Sequence, residues 1–317
     1  MKKTIKLKRL GLEIWQVYFT LLKVMVPAIV IVKILDEFGG TLWLAKLLAP
    51  VMQLIGLPES MGIVWASAIL TNIYTTMIVF VDVSAPLHLS VAQVSVVGIL
   101  ILLSHSLPIE GAVAKMVGVN WWLTVLLRIG GSLVLAASIN GLYDYFDYQQ
   151  QEAVLLWQGN NGEQSLMSWG VDQLILCFSI FFIIATLIIM LRILRKIGVE
   201  ALLQRLLSPL LRLLTIGREA TNITIIGITL GLSFGAGLLI AEVKKGVLSK
   251  RDVLLSVCFL SLAHSLIEDT LLILLLGADI VAVLWLRFFF AVVTIAIMAR
   301  IIKEPDHFNK PKVEVKN

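Results

Sequence analysis

Two short segments of the chain each place a histidine, a hydroxyl and a carboxylate within six residues of one another, in otherwise apolar surroundings. The first reads SHSLPIE from Ser104 to Glu110, and the second reads AHSLIED from Ala263 to Asp269. Imidazole together with carboxylate suits transition-metal cations. Ionisable groups inside apolar membrane segments are costly and mark pathways or binding sites by default. The alternative is that these histidines cap helix ends and only hold two parts of the fold together.

The polar residues of these two segments are the first candidates for a binding site. Without a gap, Glu110 aligns with Asp269; if Pro108 counts as one extra residue, Glu110 aligns with Glu268. Pro108 predicts a break in its helix, which frees backbone carbonyl groups as well. Both alignments present the same chemistry twice. The candidates are His105, Ser106, Glu110, His264, Ser265, Glu268 and Asp269.

The composition indicates what kind of protein must position these groups. Of 317 residues, 59% are hydrophobic and only 15% are charged, whereas soluble domains carry roughly 25% charged residues. Mean hydropathy is +0.95. Apolar runs such as 174–191 and 280–298 approach the ~20 residues that cross the ~30 Å hydrocarbon core as a helix. The runs are continuous rather than alternating, so we predict an all-α integral membrane protein.

The chain contains an internal repeat at an offset of 159 residues. Two of its four histidines coincide at this offset, inside a shared His-Ser-Leu tripeptide. The repeat predicts a first half at 11–141 and a second half at 170–303. A basic tail (1–10), a polar acidic linker (142–169) and a C-terminal tail (304–317) complete the chain. Further coinciding pairs are Gly11 with Gly170, Gly39 with Gly198, Pro50 with Pro209, Gly118 with Gly277 and Arg128 with Arg287.

Each half follows the same order of segments. A first span precedes an amphipathic stretch with a central proline, which is typical of a helix lying in the membrane interface. An apolar segment with a polar or glycine-rich centre comes next, and two more spans follow. We predict about three transmembrane helices, one interfacial helix and one re-entrant hairpin per half. The predicted spans are 13–35, 90–107 and 119–140 in the first half, and 172–194, 252–266 and 279–301 in the second.

Lysine and arginine decide how the central segments, 60–83 and 219–242, sit in the membrane. Each has 24 residues, which form either one span of ~34 Å or two half-helices of ~17 Å folded into a re-entrant hairpin. With hairpins, 21 basic residues lie inside and two outside; with spans, the counts are 14 and nine. The positive-inside rule therefore favours hairpins. Three crossings per half then invert the second half, with the linker outside and both termini cytoplasmic.

Polar residues at the centres of the hairpins are further candidates. In the first half they are Thr71, Asn72, Thr75 and Thr76, and in the second half Ser233 lies among the glycines of 231–237. Transporters built from inverted repeats bind solutes near the midplane, where helices break. Alternatively, these small and polar residues only let helices pack closely.

Arg128 and Arg287 lie about nine residues into the last span of each half, too deep to reach water easily. Buried charges are normally paired. An ion pair with Glu110, Asp269 or Glu268 that fixes the helix packing is therefore the simpler interpretation, and contact with an anion or a gate is the alternative.

Convincing enzymatic motifs are absent from the sequence. It contains no Walker A string, no dinucleotide-binding glycine pattern and no His-Glu-x-x-His. The string GLSFG at 231–235 matches the nucleophile elbow, but no strand precedes it. We expect no enzymatic activity, no cofactor and no ATP hydrolysis. The net charge of +5 lies mostly at membrane edges, so no nucleic-acid partner is expected.

The paired modules, each with a His-Ser-Leu turn and a final helix carrying glycine and arginine, resemble the Gate, or nucleoside-recognition, domain. This domain is shared by concentrative nucleoside transporters, the membrane part of ferrous-iron permeases and spore-maturation membrane proteins. The resemblance covers about 11–303 and is strongest to stand-alone two-Gate proteins. It implies that substrate sits between hairpin tips and broken helices, here 71–76, 231–237, 105–110 and 264–269. The chain lacks the extra N-terminal helices of the nucleoside transporters and the GTPase domain of the iron permeases.

These patterns favour a multi-pass protein of the cell (inner) membrane that moves a small polar solute by secondary transport, with a coupling ion as a second partner. A nucleoside-like solute is the first expectation. Transport of a divalent metal cation through the histidine and carboxylate motifs is one alternative, and a membrane assembly protein without transport is another. A homo-oligomer is compatible with all three.

Overall fold

The computed structural model describes residues 2–155, 166–214, 216–230, 239–243, 245–246 and 248–302 of the chain. The first half begins with α1 (Lys2–Glu37), α2 (Gly40–Leu54), α3 (Met61–Leu70), α4 (Ile73–Ser84), α5 (Val91–Ser104) and α6 (Leu107–Met116). Helix α7 (Trp121–Tyr145) completes this half and contains a π-helical turn at Leu126–Gly130. The second half follows with α8 (Leu166–Lys196), α9 (Val199–Leu213), α10 (Arg218–Leu230), α11 (Lys250–Ala263), α12 (Glu268–Leu274) and α13 (Val281–Ile301).

Six helical stretches among the described residues are long and apolar enough to cross a membrane. Three belong to each half: α1, α5 with α6, and α7 in the first, and α8, α11 with α12, and α13 in the second. The described residues contain no β-strand, only an isolated bridge between Ser90 and Glu152. The prediction of an all-α integral membrane protein is confirmed.

Helices α3 and α4 are too short to cross a membrane singly. They contain 10 and 12 residues, or about 15 and 18 Å at 1.5 Å per residue, against a core of ~30 Å. Thr71 and Asn72 alone connect them, and the two helices pack against each other. Gln93, just after the pair, donates its Nε2 to the carbonyl oxygen of Gly56, just before it, at 3.1 Å. The pair therefore leaves at the end of the molecule where it entered.

The second half closes its corresponding segment in a similar way. The backbone N–H of Gly217, before α10, donates to Asp252 Oδ1 at the start of α11, at 2.8 Å. Asp252 is the counterpart of Gln93 at the 159-residue offset. The predicted glycine-rich tip at 231–237, including Ser233, lies outside the described residues. The re-entrant placement of both segments in a bilayer stays a prediction, as do the domain boundaries.

Backbone conformations coincide at the same offset. Gly39 and Gly198 adopt φ of 69° and 88°, and Gly118 and Gly277 both adopt 89°. Positive φ favours glycine because no Cβ clashes with the backbone there. Each pair stands directly before a helix or a helix-connecting turn, so the two halves turn their chains at corresponding places.

The breaks between α5 and α6 and between α11 and α12 lie at the centre of the molecule. In the most apolar part of these two stretches, 72% and 78% of the residues are buried, against 11% for α1 and 22% for α8. Helices α1 and α8 pack against each other, and Tyr18 of α1 donates its hydroxyl to the carbonyl oxygen of Cys177 in α8 at 3.2 Å. The candidate segments are thus carried by the most enclosed of the six candidate spans among the described residues.

Candidate functional site

Each candidate histidine occupies a break between two helices. His105 ends α5 in an extended conformation, and Ser106 then turns into the left-handed region with φ of 55°. His264 ends α11 in the same way, followed by Ser265 with φ of 47°. Left-handed backbone costs a non-glycine residue roughly 1–2 kcal/mol, so both breaks hold a strained residue beside a buried histidine.

The helix pair α3–α4 holds the first break in place. Ser106 donates its N–H to the carbonyl oxygen of Ala68 at 3.0 Å and its hydroxyl to that of Thr71 at 2.9 Å. In the second half, Ser265 donates its N–H to Gly227 O at 3.4 Å. Ala68 and Gly227 correspond at the 159-residue offset. The helix pair α3–α4 therefore contacts the first break, and α10 makes the matching backbone contact with the second.

The two breaks bring the two histidines together. Nε2 of His105 lies 3.3 Å from Nε2 of His264, and the ring centroids are 5.1 Å apart. Both side chains are buried. Each Nδ1 lies 2.9 Å from a backbone carbonyl oxygen, Ile101 O for His105 and Leu260 O for His264. A carbonyl oxygen only accepts hydrogen bonds, so Nδ1 carries the proton and, in a neutral ring, the lone pair of Nε2 faces the other histidine.

One carboxylate from each half faces this pair of nitrogens. Glu110 Oε1 lies 3.1 Å from His264 Nε2 and 4.0 Å from His105 Nε2. Asp269 Oδ2 lies 3.6 Å from His264 Nε2 and 3.7 Å from His105 Nε2. Each histidine therefore contacts the carboxylate of the other half as closely as that of its own, or more closely. The structure matches Glu110 with Asp269, as in the alignment without a gap.

Glu268 points elsewhere. Its Oε1 accepts a hydrogen bond at 2.9 Å from the hydroxyl of Tyr74, which lies in α4 of the first half. This contact joins the hairpin of one half to the helix break of the other. Glu268 is thus a link between elements rather than a member of the histidine cluster.

The two arginines approach the cluster from the final helices. Both are fully buried. Arg128 forms an ion pair with Glu110 and donates to His105 O at 2.6 Å and to Ser261 O at 3.1 Å. Arg287 donates to His264 O at 2.8 Å and to Leu262 O at 3.1 Å. A π-helical turn contains or precedes each arginine, and such turns shift the register of the residues that follow.

The arginines of the two halves differ in whether they bond to the carboxylate of their own half. Glu110 is engaged by Arg128, whereas Arg287 directs its described hydrogen bonds to backbone oxygens. Among the residues that the structure describes, Asp269 Oδ2 and Arg287 Nη1 have no hydrogen-bond partner. Asp269 is only 5% exposed. A buried, unpartnered carboxylate oxygen is costly unless something else occupies the space that it faces.

The polar residues of the first hairpin satisfy one another. Asn72 Oδ1 accepts the N–H of Thr75 at 3.0 Å, which caps α4. Thr76 donates its hydroxyl to Asn72 O at 2.9 Å, and Thr71 donates to Ser67 O at 2.7 Å. Thr75 and Thr76 are fully buried. In this structure they stabilise a helix break, and their contact with a solute stays a prediction.

A further polar contact between the halves was not among the sequence candidates. Tyr143 donates its hydroxyl to Asp279 Oδ2 at 2.6 Å, and Ser95 Oγ accepts the N–H of Asp279 at 2.7 Å. Asp279 also caps α13, as its counterpart Asn120 caps α7. An Asn or Asp directly before an apolar run is a helix-start signal, so the capping residues Asn120 and Asp279 could have been found from the sequence.

An apolar cavity of about 380 Å³ lies beside α12. Leu266, Ile267 and Thr270, which flank the two carboxylates of α12, form part of its wall, and Trp285 and Phe288 of α13 form another part. The Thr270 hydroxyl has no hydrogen-bond partner within the described part of the chain. A cavity lined by residues of the second half therefore reaches α12, the helix that carries both carboxylates.

The comparison with known proteins agrees with the membrane fold. The chain is 31% identical over 281 residues to YvoD of Bacillus subtilis (strain 168), described as an uncharacterized membrane protein. The match covers 86% of this chain and 87% of YvoD. The chain belongs to the YvoD family. No protein-family model matches it. No solved structure matches it.

Proposed function

We propose that this member of the YvoD family is a secondary transporter, not driven by ATP, with a central binding site at the seam between its two halves. The observation that carries the proposal is the buried cluster of His105, His264, Glu110 and Asp269, in which each half supplies one histidine and one carboxylate. Ionisable groups within membrane segments are costly and mark pathways and binding sites by default.

The architecture supports movement about this seam. Three candidate spans per half, if each crosses once, place the halves upside down relative to each other, as in many transporters with alternating access. The cluster lies at two short helix breaks, and contacts from the α3–α4 pair hold both of them. Rocking one half against the other changes the distance from each histidine to the carboxylate of the other half, so the cluster couples ligand binding to the change of access.

Several features support a small polar solute. The hairpin α3–α4 contacts the first break through Ser106 and the second through Tyr74 and Glu268, and the resemblance to Gate domains implies a nucleoside-like solute between such elements. A second candidate substrate, a cation, is favoured by the three potential ligand atoms of His105, His264 and Asp269, which lie within 4.8 Å of one another. The same proposal places the protein in the cell membrane with both termini cytoplasmic.

The test is transport by the purified protein in liposomes. Radiolabelled nucleosides, other small polar solutes and divalent cations are offered in turn, with and without a pH or sodium gradient. We expect saturable uptake of one class, lost in the His105→Ala/His264→Ala double variant and retained in His88→Ala, whose imidazole is exposed and pairs with Glu152. Absence of flux for every class, together with a partner that co-purifies in stoichiometric amount, would instead indicate an assembly protein.

A further inference from the structure

We propose that Nε2 of His105, Nε2 of His264 and Oδ2 of Asp269 form a three-ligand site for a divalent transition-metal cation of the Zn²⁺ type. The inference rests on the proposed role of this cluster as the binding centre of the protein. It names the class of ion and the three protein ligand atoms.

The distances fit such an ion. A cation about 2.0–2.1 Å from the ligand atoms of a tetrahedral site holds those atoms roughly 3.3–3.4 Å apart. Here the three separations are 3.3 Å between the two nitrogens and 3.7 and 3.6 Å from the nitrogens to Asp269 Oδ2. Shifts of a few tenths of an ångström bring all three atoms to bonding distance from one point.

Both imidazole rings are already held as metal ligands are. Metal-binding histidines usually donate the other ring N–H to a carbonyl or carboxylate, which sets the tautomer and aims the free nitrogen. The Nδ1 atoms of His105 and His264 lie 2.9 Å from Ile101 O and Leu260 O. Those oxygens stand four residues earlier in the same helices, so the rings need no rearrangement to bind.

The electrostatics at the same point call for a cation. With both Nδ1 atoms protonated, the Nε2 lone pairs of the two neutral histidines face each other and Asp269 Oδ2. In that state no hydrogen atom lies between these three atoms. Arg287, the buried arginine of that half, donates to Leu262 O and His264 O instead. Asp269 Oδ2 is left without a hydrogen-bond partner in the described chain. Arg128 pairs with Glu110 Oε2, and Glu110 Oε1, 3.1 Å from His264 Nε2, adds negative charge beside the three ligand atoms.

The donor set selects the class of ion. Two imidazole nitrogens and one carboxylate oxygen suit Zn²⁺ and its first-row neighbours, whereas Ca²⁺ and Mg²⁺ require six or more oxygen ligands. Structural zinc sites are closed by four protein ligands, and sites that exchange a ligand have three. Three ligands therefore fit an ion that must enter and leave better than one that holds the fold together.

The test is metal binding by the purified full-length protein in detergent, after removal of metal with a chelator. Titration calorimetry with Zn²⁺ should show one equivalent per chain, and Co²⁺ should give the intense visible absorption of a four-coordinate ion. A large excess of Mg²⁺ or Ca²⁺ should not compete. His105→Ala, His264→Ala and Asp269→Asn should each raise the Kd at least about 100-fold, the upper end of the 10–100-fold effect of losing an outer partner.

Matched variants separate binding from folding. His88→Ala removes an exposed histidine and should leave the Kd unchanged. His264→Cys restores a ligand and should retain the site with altered Co²⁺ absorption, while size-exclusion profiles show that each variant remains monodisperse. The inference is overturned if the protein binds no metal, or if His105→Ala, His264→Ala and Asp269→Asn all retain binding. It is also overturned if the histidine pair takes up a proton in place of metal. Metal binding without flux of any solute would leave the site intact and remove the transport proposal instead.

Discussion

Nε2 of His105 and Nε2 of His264 lie 3.3 Å apart in the interior of the protein, although 159 residues separate them in the chain. Each belongs to the same tripeptide of its half, and each ends a helix with the same hydrogen bond to a carbonyl oxygen four residues earlier. The candidate binding residues of the two halves therefore lie in contact with each other.

The ion pair between Glu110 and Arg128 is expected to behave as a buried pair. Removing one partner by Glu110→Leu or Arg128→Met should destabilise the protein by about 3–5 kcal/mol, because the remaining charge is left in the interior. The double variant should be less destabilised than the sum of the two. Thermal unfolding in detergent measures the effect. Glu242→Gln, at the more exposed pair with Lys245, should change stability by less than about 1 kcal/mol; additive singles would contradict the pairing.

Gly98 lets the central helices of the two halves approach closely. A Cβ built on Gly98 would lie 2.5 Å from Cγ2 of Ile273 in α12, so Gly98→Ala should destabilise by about 1–3 kcal/mol through overpacking. Ile273→Ala in the same chain should restore part of the loss, because it removes the clashing methyl group. Gly141→Ala is the control: no atom lies within 4 Å of that Cβ, and helix propensity favours alanine. Equal melting temperatures for Gly98→Ala and Gly141→Ala would refute the close approach.

The left-handed serines at the two breaks should tolerate glycine but not β-branched residues. Ser265→Gly should be neutral or slightly stabilising, and Ser265→Val should destabilise by at least about 1–2 kcal/mol, because valine is strained at φ of 47°. Ser106→Gly should be less favourable than Ser265→Gly, since it also loses the hydroxyl bond to Thr71 O. Melting temperatures of the four variants, including Ser106→Val, decide the point. Valine variants as stable as the glycine variants would show that neither serine is held in this conformation.

Accessibility from the two sides of the membrane tests the hairpin. The contact between Gln93 and Gly56 O predicts that single cysteines at Glu59 and His88, before and after α3–α4, react with an impermeant thiol reagent from one side. A cysteine at Val154, exposed in the linker, should label from that side as well, which the positive-inside rule makes the outside. The background lacks Cys177 and Cys258. Labelling of Glu59→Cys and His88→Cys from opposite sides would make the segment a span.

Much of the fold follows from patterns that a membrane imposes on sequence. Continuous apolar runs must become helices there, because the backbone finds no water to bond, and the observed spans differ from the predicted ones mainly at their ends. Helix α1 extends to Glu37 rather than 35, and α7 to Tyr145 rather than 140. Helix ends depend on local capping and on where the chain meets neighbours, which apolar runs do not record.

The candidate site depends on sequence and packing in different measure. Histidine and carboxylate recur at the same spacing in both halves, which indicates a shared role, since chance rarely aligns two of four histidines. The sequence left open whether Glu268 or Asp269 is the counterpart of Glu110. Successive residues of a helix point about 100° apart, and the turn at Ser265 determines which of the two faces His105. That turn sends Asp269 to the histidines and Glu268 to Tyr74.

The amino-acid order alone specifies a helical membrane protein whose polar groups recur in two buried segments. It does not specify that these segments touch, because contact across 159 residues depends on how entire helices pack, with close approaches such as Gly98 against Ile273. Nor does it show that Arg128 takes Glu110 while Arg287 bonds to backbone oxygens and leaves Asp269 Oδ2 unpartnered. Distances of a few ångströms between charges decide the chemistry of the cluster, and packing in three dimensions sets those distances.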